Sequence, residues 1–334
     1  MEEVFQQIKE EFEAAIKIDG KKALGLIRSQ KLIKRVHEKV SKDLEELIEK
    51  QHPNLFEKVI PMSSEKCSQE LYNKFGVCIS SEKIFKLSRK ELLKNIYDYK
   101  NFNRETKESI KNFLSNSLNE VKVYGAFKTK DQDITILPKS LDKNEERLND
   151  YSYLNDLDPY GGKFTEKMIT INIRSQNSSL NKNFDTMYER TLAEAVNLHM
   201  RCPSMVLGDI YCINLTEYDS GSLKNKQIKY NKINPDILVK YIKSFKSLTS
   251  RERTSNNNVV YDPEKYERIA LVLVDFSRNP VKIYSDYSEL VKDGFLKGSS
   301  SPFDPNYINF LDLSYEGFLS ALFTTYINRF SYHF

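Results

Sequence analysis

Residues 168–176, MITINIRSQ, and the run SSLNKNFDTMYERTLAEAVNLH over 178–199 decide how this 334-residue chain is read. In an extended segment alternate side chains point to opposite faces. Ile169, Ile171 and Ile173 therefore share a core face, while Thr170, Asn172, Arg174 and Gln176 form a polar row on the other. The polar turn that follows enters an amphipathic helix. Phe184, Met187, Tyr188, Leu192, Ala195 and Val196 recur at helical spacing and make a stripe that must lie against a sheet.

Outward from this strand–helix pair, further β-type runs are VKVYGAF (121–127), DITIL (133–137), LGDIYCINL (207–215) and ERIALVLVDF (267–276). Helical patterns fall at 184–199, 235–247 and 314–330. Strands alternating with helices predict an α/β fold, a mixed central β-sheet flanked by helices. Upstream, residues 1–118 read as helical, most clearly at 2–17, 22–50 and 88–118. Two regions are thus expected, an N-terminal helical region (1–118) and an α/β domain (119–334). Residues 139–165, rich in Asp, Asn and Lys, read as a long surface insertion of the kind that carries function.

Composition excludes several classes. With 51 Lys+Arg against 47 Asp+Glu the net charge is +4, and 40% hydrophobic beside 29% charged argues against wholesale disorder. The acidic start over 1–17 lacks a secretory signal, and no stretch reaches the roughly 18 apolar residues of a membrane span. A cytoplasmic protein with no membrane partner is expected. Cys67, Cys78, Cys202 and Cys212 form no CxxC pair, so free thiols are expected. His37, His52, His199 and His333 are scattered, and there is no HExxH, GxGxxG or GxxxxGK[ST]. Zinc hydrolases, Ser-His-Asp hydrolases and nucleotide-loop enzymes are poor readings.

Carboxylates near the polar row carry the remaining chemistry. Asp133 opens an apolar β run, and Asp131 lies two residues upstream. Such a pair suits a hard divalent cation such as Mg²⁺, which prefers oxygen ligands; an ordinary Asp-rich turn is the plain alternative. On the helix, Asp185 and Glu189 lie four apart on one border of the apolar stripe. Glu189 reads equally as a carboxylate aimed at the polar row or as a boundary residue. Glu194, on the other border, reads as a boundary carboxylate paired with Arg190 or Arg201.

The run Ile171–Gln176 (INIRSQ), then Asn183-Phe184, Arg190-Thr191 and Glu194-Ala195, then the strand from Leu207-Gly208, resembles the core of type II restriction endonucleases of the PD-(D/E)xK nuclease superfamily, the XhoI group most of all. The likeness runs from Asp133 to Leu215. It implies a restriction-endonuclease-like sheet and Mg²⁺-dependent hydrolysis of phosphodiester bonds in a specific double-stranded DNA sequence. In that superfamily an Asp and a Glu-x-Lys on adjacent strands bind Mg²⁺. Carried over, Asp133 is the metal-binding Asp, Asn172 stands where Glu is usual and Arg174 where Lys is usual. Asn is a weaker ligand, and Arg does not give up its proton, though it can stabilise charge on phosphate oxygens. Some members draw the missing carboxylate from the next helix, which brings in Glu189. The implied catalytic set is Asp133, Asn172, Arg174, Gln176 and Glu189, with Asp133 and Glu189 as Mg²⁺ ligands and no organic cofactor. The likeness also implies a homodimer on a twofold DNA site and a cognate DNA methyltransferase as genetic neighbour. DNA readers would come from loops 139–165, 219–233 and 249–258. Two alternatives stand beside it: a catalytically inactive DNA-binding relative of the same fold, and a helical interaction protein whose α/β half is an unrelated hydrolase.

Overall fold

The run ITINIRSQ forms an eight-residue strand, and the strands pairing with it set the architecture. The computed structural model describes residues 1–23, 31–139, 141–149, 153, 155–176, 180–255, 258–299, 301 and 307–330, without the side chains of 31–32 and 253–260. Along the chain, α1 (Glu2–Asp19) and α2 (Lys31–Gln51) precede β1 (Phe56–Ile60). Helices α3 (Ser64–Phe75), α4 (Ser81–Lys86), α5 (Arg89–Asn95) and α6 (Arg104–Leu118) follow. The ribbon of β2 (Val121–Tyr124) and β3 (Thr129–Gln132) leads into β4 (Ile134–Pro138). A hairpin of β5 (Glu146–Leu148) and β6 (Asp156–Asp158), then α7 (Gly162–Thr165), come before β7 (Ile169–Gln176), α8 (Leu180–Arg201) and β8 (Val206–Asn214). After β9 (Thr216–Tyr218), α9 (Ser220–Lys224), β10 (Tyr230–Lys232) and α10 (Pro235–Leu248), a hairpin of β11 (Glu252–Ser255) and β12 (Asn258–Tyr261) precedes β13 (Arg268–Asp275) and β14 (Lys282–Tyr284). The described chain closes with α11 (Tyr287–Lys292) and α12 (Phe318–Phe330).

The central sheet has six strands in the order β1-β4-β7-β8-β13-β14. β1, β4 and β7 run antiparallel in turn, β7, β8 and β13 run parallel, and β14 returns antiparallel. The fold is therefore α/β with a mixed sheet flanked by helices. Parallel neighbours need a long crossover, which α8 supplies between β7 and β8. Being covered on both faces, β8 and β13 read as near-continuous apolar runs.

The N-terminal region is not purely helical. FEKVI forms β1 and joins the sheet edge, while α1 and α2 pack on one sheet face with α12. That face takes Ile169, Ile171 and Ile173 of β7 with Ile210 and Cys212 of β8. The opposite face takes Leu207, Tyr211 and Ile213, covered by α8 and α10. Helices α3 to α6 enclose a smaller core of their own around Cys67, Leu71, Ile84 and Ile110. Their starts are capped by side chains: Ser63, Ser80, Ser88 and Asn103 each accept a first-turn N–H. The four cysteines are free, and among the described residues no helix is long and apolar enough to cross a membrane.

One glycine of β8 marks how closely α12 approaches. A Cβ at Gly208 would lie 2.8 Å from Leu322 and 2.9 Å from Phe318. Overpacking of this kind costs about 1–3 kcal/mol. Gly208→Ala should lower the unfolding free energy by that amount, moving the urea midpoint down without changing the slope of the transition; an unchanged midpoint refutes this account of the contact.

Candidate functional site

The polar row of β7 is roofed by α8. Thr170 and Asn172 are buried, and Arg174 and Gln176 half-buried. In the parallel register Asn172 pairs with Asp209 of β8 and Arg174 with Tyr211, so Asp209 faces the same helix. On the other side, the Ile134↔Ile171 pair brings Asp133, the residue just before β4, level with Asn172. The antiparallel ladder stops there, and the Asp133 carboxylate caps the next strand by accepting the Ile173 N–H at 2.6 Å.

The helical carboxylate that meets this row is Glu194, not Glu189. Glu194 is 5% exposed and accepts four hydrogen bonds. Its Oε1 takes Asn172 at 3.1 Å and Gln132 at 3.3 Å; its Oε2 takes Arg174 at 2.6 Å and Lys130 at 3.2 Å. Glu189 is exposed and makes no ion pair among the described residues. The buried face of α8 runs through Phe184, Thr191, Glu194, Ala195 and Leu198. Two of these are polar, so a stripe drawn from hydrophobicity alone turns the helix too far. Nor does Glu194 pair with Arg190 or Arg201; Arg201 binds Asp158 at 2.7 Å and Glu146 at 3.0 Å, holding the β5–β6 hairpin.

Gln132 and Lys130 reach Glu194 because the β2–β3 ribbon is pinned to α8 one turn further on. The Asn197 side chain accepts the N–H groups of Phe127 (2.8 Å) and Lys128 (3.1 Å) and donates to the Lys128 carbonyl (3.0 Å). Gly125 permits this approach, since a Cβ there would fall 2.2 Å from the Asn197 amide.

Arg174 is held at each of its three nitrogens. One terminal nitrogen donates to Thr191 Oγ1 at 2.8 Å and the other to Glu194, while Nε lies 3.6 Å from Asp209. Asp209 is fully buried, and neither of its oxygens accepts a hydrogen bond. Burial pushes its carboxyl up to about 7; Arg174 opposes this, and the charges of Glu194 and Asp133 add to it. Burial also raises Asp133 above its ordinary value, against the pull of His37, the Ile173 N–H and Arg174. His37 Nε2 of α2 stands 4.0 Å from Asp133, and burial lowers its pKa. Asp133 opens onto a cleft of about 660 Å³ between α2 and the α3–α6 helices, where Lys34, His37, Arg89 and Glu120 also line the wall.

Asp133, Asn172 and Arg174 are thus brought together with Glu194, while Gln176 ends β7 opposite Ile213 and Glu189 stays outside. Asp131 faces solvent on β3 and pairs with Lys122 across the ribbon. Of the reader loops, the described parts include the β5–β6 hairpin, α7, α9 with β10, and the start of β11; residues 140, 150–152, 154 and 256–257 lie outside the described residues.

The carboxylates do not form a ready metal site. Both oxygens of Glu194 are committed to donors, two of them cations, and Asp209 is sealed beneath Arg174. Among the described residues no three His, Cys, Asp or Glu side chains come together closely enough to hold a metal ion. The residues therefore do not fit Mg²⁺ in this arrangement.

Sequence reasoning passed over Lys130, Gln132, Thr191, Asp209 and His37. Asp209 did carry a signal: a lone Asp within LGDIYCINL, a strand otherwise apolar enough to be buried. A scan of family models, a search of curated proteins and a search of solved structures find no match to this chain.

Proposed function

We propose that the chain is a site-specific endonuclease on double-stranded DNA, of the type II restriction kind, acting as a homodimer. One observation carries this reading. Asp133, the residue just before β4, stands level with Asn172 of the Asn172-x-Arg174 pair on the adjacent antiparallel strand, and a helix carboxylate, Glu194, is bonded to Asn172 and Arg174. That is the arrangement expected of a PD-(D/E)xK-type nuclease whose strand Glu is replaced by one from the helix. The rim suits a polyanion: the Arg174 and Lys130 side chains are 20% and 29% exposed, beside a Glu194 that is 5% exposed. In the reaction a water oxygen bonds to phosphorus and gives up a proton, and the bond to the leaving sugar oxygen breaks as that oxygen gains one. In this chain Asp133 holds β7 through the Ile173 N–H, and Arg174 and Lys130 set positive charge at the rim.

A second reading, a DNA-binding relative without catalysis, is favoured by a specific feature. Glu194 is neutralised by two cations, and the strand position nearest it is an Asn. Incubation with unmethylated plasmid and phage DNA in Mg²⁺ separates the two. Discrete fragments that disappear with Asp133→Ala support the endonuclease. Salt-dependent retardation of duplex DNA without cleavage supports the binding relative. Neither cleavage nor retardation defeats both. A DNA methyltransferase gene beside this one would add support for the first.

A further inference from the structure

The segments 17–23 (KIDGKKA) and 219–229 (DSGSLKNKQIK) hold six lysines against two aspartates, an excess of four positive charges. That equals the net charge of the whole 334-residue chain, so the remaining residues balance to zero. The fold brings the two segments together. The C-terminal end of α1 and the turn Gly20–Lys22 pack on α9 around a small core of Ile16, Ala23 and Leu223, with Tyr218 and Ile228 beside it. Gly20 permits the approach: a Cβ there would lie 2.8 Å from the Leu223 carbonyl oxygen and 3.4 Å from Lys226 Cγ. Lys226 itself holds φ at +58°, a left-handed conformation that costs a residue with a Cβ about 1–2 kcal/mol. Lys17, Lys21, Lys22, Lys224, Lys226 and Lys229 are all exposed, and none makes an ion pair among the described residues. The nearby carboxylates do not answer them. Asp219 accepts the Ser222 N–H at 2.7 Å and the Asn231 amide at 3.2 Å, and Glu217 is on the face of β9 opposite Tyr218.

We infer that this lysine corner is a DNA-backbone contact, holding phosphates without reading bases and anchoring a duplex beside the site on β7. The inference rests on the reading of that site as one for DNA. Lysine is a flexible point charge, suited to phosphate and poor at the bidentate contacts that read a base edge. The corner also follows the right end of the sheet. The row Asn172–Arg174–Gln176 runs towards the C-terminal ends of the parallel strands, with Gln176 opposite Ile213, and β9 begins three residues after Ile213. From Tyr211, the partner of Arg174, to Thr216 the chain covers at most about 16 Å, about half a turn of duplex. One duplex is long enough to meet both. A lipid surface fits less well, because the apolar face of α1 with Phe5, Ile8 and Ile16 is already buried, leaving Ile18 alone among its large apolar side chains exposed.

The probe is a fluorescent mixed-sequence duplex, titrated with the full chain at a series of NaCl concentrations and followed by anisotropy. The variant carries Lys21→Gln, Lys22→Gln, Lys226→Gln and Lys229→Gln together. Losing four phosphate contacts should make the slope of log K against log salt shallower by about 3 to 4. Binding at low salt should weaken about tenfold or more, and equally for unrelated sequences. All four side chains are exposed, so the urea midpoint should stay at the wild-type value. Should the fourfold variant unfold, the pairs Lys21/Lys22 and Lys226/Lys229 are tested separately, each with about half the change in slope. Wild-type slope and affinity in the variant overturn the lysine corner and leave the reading of the β7 site intact. A lysine-dependent slope with no cleavage of any duplex in Mg²⁺ supports the corner and defeats the endonuclease. No duplex binding by the wild type overturns both, and capture of the wild type by phosphatidylserine vesicles in place of duplex makes the corner a lipid surface, which also overturns the inference.

Discussion

On the proposed endonuclease reading, Glu194→Gln should reduce DNA cleavage on the order of 10²-fold or more, while Glu189→Gln leaves it unchanged. The reason is geometric. Glu194 is the carboxylate that meets Asn172 and Arg174, and Glu189, five residues earlier, faces solvent. A Gln keeps the shape but offers one acceptor oxygen and one NH2 where the native carboxylate offers two acceptors. With donors arriving on both sides, Asn172 and Gln132 on one oxygen and Arg174 and Lys130 on the other, one pair must face the new NH2. That mismatch in a buried site costs about 1–3 kcal/mol. Cleavage should therefore be assayed well below the unfolding midpoint of the variant, with the midpoint measured in parallel. Cleavage at the wild-type rate by Glu194→Gln, or its loss in Glu189→Gln, refutes the assignment of the helix carboxylate.

The sheet was readable from sequence because its inner strands are buried on both faces. VLGDIYCIN and RIALVLVD are continuous apolar runs, and ITINIRSQ alternates. β1 escaped notice for the opposite reason: FEKVI has five residues, two of them charged, inside a Lys- and Glu-rich helical texture, and only its pairing with β4 makes it a strand. The site was half-legible. Asp133, Asn172 and Arg174 follow from strand alternation and from where an apolar run begins. Glu194 does not, because hydrophobic periodicity measures what avoids water, not what pairs with a buried arginine. Thr191 and Glu194 point down because Arg174 lies beneath them. Lys130 and Gln132 depend on the ribbon being fastened by Asn197, a contact across 69 residues of chain that local pattern cannot contain.

Glu267→Gln should destabilise the fold by about 3–5 kcal/mol at neutral pH. Glu267 is 1% exposed and draws elements from both layers of the molecule. Its carboxylate accepts Arg251 at 3.1 Å, Arg329 of α12 at 2.9 Å and the Leu207 N–H of β8 at 2.7 Å, and His199 of α8 lies 3.6 Å away. Replacing it leaves two buried guanidinium groups without a counter-charge, and Arg329 already has two nitrogens without acceptors. Burial by itself raises the Glu267 pKa, but the hydrogen bond and charge of His199 with the charges of Arg329 and Arg251 outweigh it, bringing it from 4.5 to about 2. A carboxyl lowered on folding contributes stability in full above its unfolded pKa and loses it as pH falls through the folded one. Here that window runs from about 4.5 down to about 2, and the shift corresponds to about 3 kcal/mol for a group so completely buried. Urea unfolding of wild type and variant at pH 7 and pH 3 provides the check. The gap between their unfolding free energies should be widest at pH 7 and narrow clearly by pH 3. A gap of the same size at both values would mean that Glu267 acts through packing and not through its charge.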